Sequence, residues 1–331
     1  MNIWLAALGY FLAYAPYSAF TKALSSGAAP GVESPISGIA LLPVSTLASF
    51  LGMAAFLWGT GWWHAASTQR VGGVLVPMPT RYTTLSGLCT AVILMTTTLA
   101  YTFEGVSIVF VMLLMRGGVL VMAPLIDRLS GRRVRWFSWV ALLLSMSALV
   151  VAFAERAGYD ITVACAVDVG FYLLAYFVRL QFMSRLAKSS DVAGNRRFFV
   201  EEQLVATPAA LVMLGVMALF GPPGVREQLA FGFDGLDAGA GLAWGLVIGL
   251  LSQGTGIFGG LILLDGRENT FCVPVNRASS ILAGVAAAWM LVGWLGQPAP
   301  GASELLGAGL VVAAILVLTL GPRYAARRAQ S

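Results

Sequence analysis

The chain has 331 residues, of which 58% are hydrophobic and only 11% are charged. A soluble protein of this length needs more polar surface, so the composition excludes a soluble globular domain. The net charge is +5, but the basic residues lie in short segments between apolar runs, where they set membrane topology. We therefore expect an all-α polytopic membrane protein with no nucleic-acid partner.

Ten apolar segments are long enough to cross a hydrocarbon core about 30 Å thick. In chain order they are residues 2–21, 36–57, 83–103, 105–126, 136–154, 162–183, 199–220, 239–263, 270–294 and 303–320. No basic region precedes the apolar part of the first segment, so we predict a retained first span and no cleaved signal peptide. The longer connections, 59–82, 184–198 and 221–238, are predicted to hold no second domain.

The distribution of lysine and arginine predicts the orientation. With the N-terminus inside, fourteen basic residues fall in cytoplasmic segments, whereas only Lys22, Arg156 and Arg226 fall outside. Because loops rich in lysine and arginine stay in the cytoplasm, we expect both termini there, in a multi-pass protein of the inner membrane. The short basic tail after Leu320 is predicted to be solvated and to touch anionic lipid.

The three remaining arginines, Arg116, Arg179 and Arg277, lie within predicted spans. Arg116 interrupts the apolar run from Glu104 to Pro124. A guanidinium at bilayer depth costs roughly 2.5 to 3.5 kcal/mol on insertion scales. Each of these arginines therefore needs a partner, a water-filled cavity or a function.

An internal repeat accounts for two of them. A shift of the chain by 161 residues aligns Glu104 with Asp265 and Arg116 with Arg277, and the segments that start at Gly9 and Gly170 resemble each other at nearly the same shift. We predict two five-helix repeats, residues 1–158 and 159–331. Because five is odd, the second repeat is inverted in the membrane. The acids are then expected to cap helices near the two gates.

Inverted repeats place both arginines near the bilayer midplane, where secondary transporters bind substrate. Two guanidinium groups suit a phosphate or carboxylate held bidentately. The alternative is that each arginine is neutralised by an acid and only ties helices together. The acid predicted to lie deep is Asp168, which either pairs with Arg116 or Arg277 or carries a coupling proton. Arg179 shares its helix face but lies about 16 Å along the axis, too far to pair with it.

Other polar side chains follow the same spans. Tyr10, Tyr14 and Tyr17 recur at helical spacing in the first span and read either as packing or as the wall of a binding site. Thr96, Thr97 and Thr98, with Ser252, Gln253 and Thr255, are able to bond a ligand but also their own helix backbone.

The sequence contains no constellation that predicts an enzyme. The only histidine is His64, so an intramembrane Ser/His pair or a histidine-rich metal site is excluded, and no P-loop or Asp-rich pair is present. The three cysteines lie in apolar runs without metal-ligand spacing. We expect no catalysis, cofactor or metal.

The chain resembles the drug/metabolite transporter superfamily, which includes EamA-type exporters, nucleotide-sugar transporters and triose-phosphate translocators. The resemblance rests on ten predicted spans, the inverted duplication and the segment 101–153, in which a fourth span is followed by a basic loop and a fifth span. It implies that Tyr14, Arg116, Tyr172, Gln253 and Arg277 line the substrate cavity. The family's LLLGE-like end of the fourth span reads PLIDRLSG here, with Asp127 in place of the glutamate.

These observations predict a secondary transporter or exchanger of a small organic anion, such as a phosphorylated metabolite or a nucleotide-linked sugar. Two alternatives remain at this point. One is a proton-coupled exporter of amino acids, drugs or other small metabolites, and the other is a lipid flippase or an accessory subunit of envelope-glycan synthesis. The expected partners are the anionic substrate and membrane lipid, and the formation of a homodimer is left open.

Overall fold

A computed structural model of the chain describes residues 2–72, 74–99, 108–154, 163–188, 191–235, 239–296 and 299–328. These ranges contain eleven α-helices, one short 3-10 helix and one β-hairpin. The helices are α1 (Ile3–Ser25), α2 (Gly38–Gly59), α3 (Arg81–Leu99), α4 (Ile108–Leu129), α5 (Trp136–Ala154), α6 (Val163–Leu186), α7 (Val192–Phe220), α8 (Pro223–Phe233), α9 (Ala240–Leu263), α10 (Asn269–Leu295) and α11 (Ala302–Arg328).

Within the described residues, seven helices are long and apolar enough to cross a membrane: α1, α2, α6, α7, α9, α10 and α11. The protein is therefore an all-α, multi-pass membrane protein. The prediction of ten spans is not matched by this count. Helices form at the other three predicted spans, α3, α4 and α5, but they are not among the seven.

Two predicted loops contain regular structure. The connection after α2 holds a 3-10 helix, Trp62–Ala65, and a hairpin of β1 (Thr68–Val71) and β2 (Val74–Pro77), with Gln69 opposite Val76. The Glu201 carboxylate fixes this connection, because it accepts hydrogen bonds from the backbone N–H groups of Ser67 and Thr80. The connection after α7 holds the short helix α8.

Two predicted helix ends are wrong. Helix α7 begins at Val192, not near Phe199, because Asp191 accepts a hydrogen bond from the Ala193 N–H and caps the helix start. Helix α11 continues past Leu320, the predicted end of the tenth span, to Arg328; that its basic tail is solvated stays a prediction. Both segments are basic, and helices tolerate basic residues where the side chains reach solvent.

The helices pack around a central group. The largest buried cluster includes Met115, Leu120, Phe137, Phe199 and Phe271, from α4, α5, α7 and α10. The helix pairs in contact include α1–α9, α3–α6, α1–α10, α4–α6, α2–α9, α3–α7, α10–α11, α4–α5, α4–α10, α5–α11 and α2–α7.

Glycine allows two close helix approaches in this bundle. A Cβ atom on Gly87 of α3 would lie 2.8 Å from the Glu202 carbonyl oxygen of α7, and a Cβ atom on Gly249 of α9 would lie 2.4 Å from the Ser45 carbonyl oxygen of α2. Backbone atoms cannot move aside as a flexible side chain can, so these two positions exclude any side chain. Small residues at such contacts are typical of membrane helix packing.

One end of the helix bundle carries the α2–α3, α4–α5, α6–α7 and α9–α10 connections, which we name the basic end. There Asp127, at the C-terminal end of α4, is fully buried and accepts hydrogen bonds from the backbone N–H groups of Asn269 and Thr270, both at 2.7 Å. The side chains of these two residues also donate to Asp127. A carboxylate from one helix thus caps the N-terminus of another.

Further bonds tie the same end together. Arg132 donates to the carbonyl oxygens of Gly266, Ser184 and Lys188, and the Lys188 ammonium donates to the Leu263 carbonyl oxygen at 2.9 Å. These cations lie where the C-termini of α6 and α9 expose carbonyl groups, an electrostatically favourable position. The α4–α5 and α9–α10 connections are therefore held as one unit.

Glu268 completes this network. It accepts two hydrogen bonds from Arg135 and one from Ser138. Burial alone would raise the pKa of Glu268, but the bonds from Arg135 and Ser138 outweigh burial and leave the pKa below its ordinary value. Glu268 is thus held ionised, and its contacts contribute stability that is lost only as the pH falls through this lowered pKa.

Candidate functional site

A polar cavity of about 300 Å³ lies at the centre of the bundle. Its walls come from α1, α2, α3, α6, α7, α9 and α10, and many of its lining side chains carry hydroxyl, amide or guanidinium groups. Apolar cavities in proteins are usually filled by packing or stay dry, whereas a polar one of this size can hold water or a small ligand. The cavity is therefore the candidate binding site.

Arg277, from α10, lines this cavity and is only 8% exposed. Its guanidinium carbon lies 5.4 Å from the centre of the Tyr176 ring, a cation–π contact that stabilises the charge without neutralising it. No ion pair with a carboxylate joins Arg277 in the part of the chain that the structure describes. Among the described residues, no carboxylate compensates the positive charge that Arg277 brings to the cavity.

Two buried donors in the cavity have no hydrogen-bond partner within the described residues. They are the Arg277 Nε and the Gln253 Nε2 atoms, from neighbouring helices α10 and α9. The Gln253 side chain is 6% exposed. Burying a donor without a partner costs about 1 to 3 kcal/mol and more for a charged group. An acceptor that reached either atom would remove the corresponding penalty.

Arg116 lies beside the cavity and does not line it, which differs from the predicted arrangement of two arginines in one pocket. Its Nη2 atom donates to the Tyr14 hydroxyl at 2.7 Å. Gly118, two residues further along α4, packs against Leu173 of α6. This side of α4 therefore lies against α6 and contributes no wall to the cavity.

The two arginines nevertheless lie close to each other. Arg116 is within electrostatic range of Arg277, and both interact with Tyr10 and Tyr172. Tyr10 lines the cavity and stacks on Tyr14 with 5.4 Å between ring centres. Of the five predicted binding residues, Arg277 and Gln253 line the cavity, whereas Arg116, Tyr14 and Tyr172 do not.

Arg179 lines the cavity but is neutralised. It forms two hydrogen bonds with Glu202 of α7, at 2.7 and 3.0 Å, and both side chains are buried. The predicted seventh span begins at residue 199, so Glu202 falls near its end, whereas α7 begins ten residues before Glu202 and this carboxylate is buried as Asp168 is. Ser86 and Thr90 of α3 donate to the same carboxylate.

Asp168 pairs with neither Arg116 nor Arg277 among the described residues. It is 5% exposed, and neither carboxylate oxygen has a hydrogen-bond partner there. It does not line the central cavity. Of the two predictions for this residue, charge pairing is therefore not seen, and the coupling proton stays a prediction.

The two predicted gate acids have different outcomes. Glu104 lies outside the described residues. Asp265 lies at the basic end in the α9–α10 connection, where it accepts a hydrogen bond from the Arg267 N–H and lies 3.3 Å from the Arg267 Nε. It shapes the turn, and the N-terminus of α10 is capped by Asp127 instead.

The structure adds residues that sequence reasoning did not select. Tyr176 and Asn276 line the cavity beside Arg277, and Gln203 and Thr207 line it from α7. Tyr176 could have been selected from the sequence, because the Ala-Tyr pair at 175–176 repeats the pair at 13–14. Gln203 could also have been selected, since it follows two acidic residues in an apolar segment.

No family model matches the chain, and no curated protein matches it. Solved structures do match. One of them, described only as a crystal structure of a protein, aligns with a TM-score of 0.54 and 17% sequence identity over 95% of this chain and 98% of its own. At this identity the similarity shows the fold alone.

Proposed function

We propose that the chain is a secondary transporter or exchanger that moves a small organic anion by alternating access. The observation that carries the proposal is Arg277: a buried cation that lines a polar cavity, has no carboxylate partner in the described residues and keeps its Nε atom free of hydrogen bonds there. A phosphate or carboxylate suits this group, because its oxygens accept from guanidinium and amide donors together. The proposal includes no catalysis and no cofactor.

The helix neighbours support a ten-helix core made of two inverted repeats. In this arrangement α1, α2, α3, α4 and α5 of the first repeat correspond to α6, α7, α9, α10 and α11 of the second. A contact between two helices should then recur between the two corresponding helices. The contacts α1–α9, α1–α10 and α2–α9 do recur, as α3–α6, α4–α6 and α3–α7 respectively. The pairs α2–α7, α4–α10 and α5–α11 map onto themselves. A two-fold pseudo-symmetry of this kind is expected of inverted-repeat transporters.

Equivalent side chains support the same arrangement. Tyr14 of α1 bonds Arg116 of α4, and Tyr176 of α6 contacts Arg277 of α10. Each repeated arginine thus meets a tyrosine from the first helix of its own repeat. Gly87 of α3 and Gly249 of α9, each in close contact with the backbone of a neighbouring helix, also lie at equivalent places in the two repeats.

In this proposal the two repeats rock about the cavity and open it to one side at a time. The bonds of Asp127 and Arg132 would hold the basic end closed, and opening that end would require them to break. The positive-inside bias places the basic end and both termini in the cytoplasm. The similarity to the drug/metabolite transporter superfamily fits this proposal and is part of it.

The second candidate is a proton-coupled exporter. The observation that favours it is Asp168, a buried carboxylate without a partner in the described residues, since unpaired acids within spans often mark proton relays. In this case Asp168 would bind and release a proton during each cycle, and Arg277 would have a structural role.

Counterflow in liposomes tests the proposal. The purified protein is preloaded with one unlabelled solute, and uptake of the same labelled solute is measured for phosphorylated, carboxylated and cationic compounds, with and without an imposed pH gradient. We expect uptake of at least one phosphorylated or carboxylated solute and none of the cations. Transport of cations or neutral solutes alone, driven by the pH gradient, would favour the second candidate.

A further inference from the structure

A second cavity, of about 600 Å³, lies between α2 and α7. Its lining is almost entirely apolar and includes Phe50, Ala54 and Trp58 of α2 and Leu204 of α7. Trp58 is 86% exposed, so this cavity is an open groove at the surface of the helix bundle. We name it the lateral groove.

The lateral groove adjoins the central cavity. Gln203 and Thr207 of α7 line both, and both side chains are buried. One turn of α7 therefore separates two different environments. The central cavity on one side is lined by guanidinium, amide and hydroxyl groups, and the lateral groove on the other side is lined by hydrocarbon. A single molecule that reaches from one side to the other must itself be polar at one end and apolar at the other.

We propose that the transported anion is an amphiphile, with its acidic headgroup at Arg277 and Gln253 and one hydrocarbon chain in the lateral groove. This inference rests on the proposed function and specifies its substrate class. The hydrocarbon chain of an amphiphile cannot enter the polar central cavity without losing its apolar surroundings. The groove lets the chain remain in an apolar environment while the headgroup reaches the buried donors.

The charge of the central cavity selects among amphiphiles. Arg277 has no carboxylate partner in the described part of the chain, and Arg116 adds a second positive charge beside it. A cationic headgroup would be repelled, and a neutral one would leave the charge uncompensated. The predicted class is therefore an alkyl or isoprenoid phosphate, or a fatty acid, with a single chain.

Photo-crosslinking tests this inference. The full-length protein in phosphatidylcholine nanodiscs is exposed to dodecyl phosphate that carries a diazirine in mid-chain, and labelled peptides are identified by mass spectrometry. We expect label in residues 50–58 of α2 and 203–207 of α7, with at least a tenfold reduction by excess butyl phosphate. A dodecanol probe with the same diazirine but no phosphate measures the labelling that does not depend on the charged headgroup. Arg277→Gln is expected to reduce the label from dodecyl phosphate to this level.

Two tryptophan variants of α2 provide the matched control. Ala54→Trp fills the lateral groove and should reduce the label several-fold, whereas Leu51→Trp, at a position 54% exposed that does not line the groove, should leave it unchanged. Label spread evenly over the lipid-facing helices and insensitive to butyl phosphate would overturn the inference.

The failure of this inference can be distinguished from the failure of the proposed function. If butyl phosphate is exchanged in liposomes while the groove stays unlabelled, only this inference fails. If the wild-type protein neither binds nor exchanges butyl phosphate, the proposed function fails too.

Discussion

Replacing Arg277 by glutamine is expected to abolish anion exchange in liposomes. Glutamine keeps much of the side-chain length but removes the charge and the paired donors that would hold a phosphate or carboxylate. The loss of a charge-assisted interaction in a buried site corresponds to about 3 kcal/mol, or roughly a hundredfold in affinity. Initial counterflow rates over a range of solute concentrations measure the effect.

Two further variants separate binding from nonspecific charge effects. Arg277→Lys keeps the charge but loses the planar fork, so we expect weakened exchange. Arg267→Gln removes one positive charge at the basic end, where Arg267 is partly exposed, and should exchange at nearly the wild-type rate. Wild-type exchange by Arg277→Gln, in protein that elutes as a single symmetric peak, would contradict the role of Arg277.

Replacing Glu202 by glutamine is expected to destabilise the protein strongly. The variant leaves Arg179 as a buried cation without its partner, and breaking a buried ion pair costs about 3 to 5 kcal/mol. Thermal unfolding in detergent, followed by tryptophan fluorescence, measures the change. We expect a clear fall in the unfolding temperature, even though Glu202 does not line the cavity.

The double variant Arg179→Met, Glu202→Leu distinguishes this cause from general damage to the core. It removes both charges, so it should recover much of the lost stability. Arg135→Gln breaks an ion pair whose arginine is 45% exposed, and it should cost about 1 kcal/mol or less. Equal destabilisation by Glu202→Gln and by the double variant would show that the charge balance is not the reason.

Local sequence patterns predicted the membrane class and located two important side chains. Apolar length reports spans directly, because the bilayer fixes the length that a helix needs. Arg277 and Gln253 could be selected because polar groups stand out in apolar helices and carry a cost that demands an explanation. Neither inference depends on knowing which helices touch.

Contacts between distant segments could not be predicted in this way. Whether Arg116 lines the cavity depends on how α4 packs against α6 and α10, and those contacts join segments far apart in the chain. Asp127 caps a helix that begins more than a hundred residues later in the chain. The Arg179–Glu202 pair was missed because Arg196 and Arg197 resemble a loop, although the Asp191 cap already starts α7 before them.

Crystallographic location of a bound anion tests the central claim most directly. Selenate is a close analogue of sulfate and phosphate, and its selenium atom gives an anomalous signal that cannot be mistaken for water. We predict an anomalous peak in the central cavity, within about 4 Å of the Arg277 Nε and Gln253 Nε2 atoms, as hydrogen-bonded oxygens require. A cavity without selenium, in which the Arg277 guanidinium is paired with a carboxylate of the chain, would contradict the account.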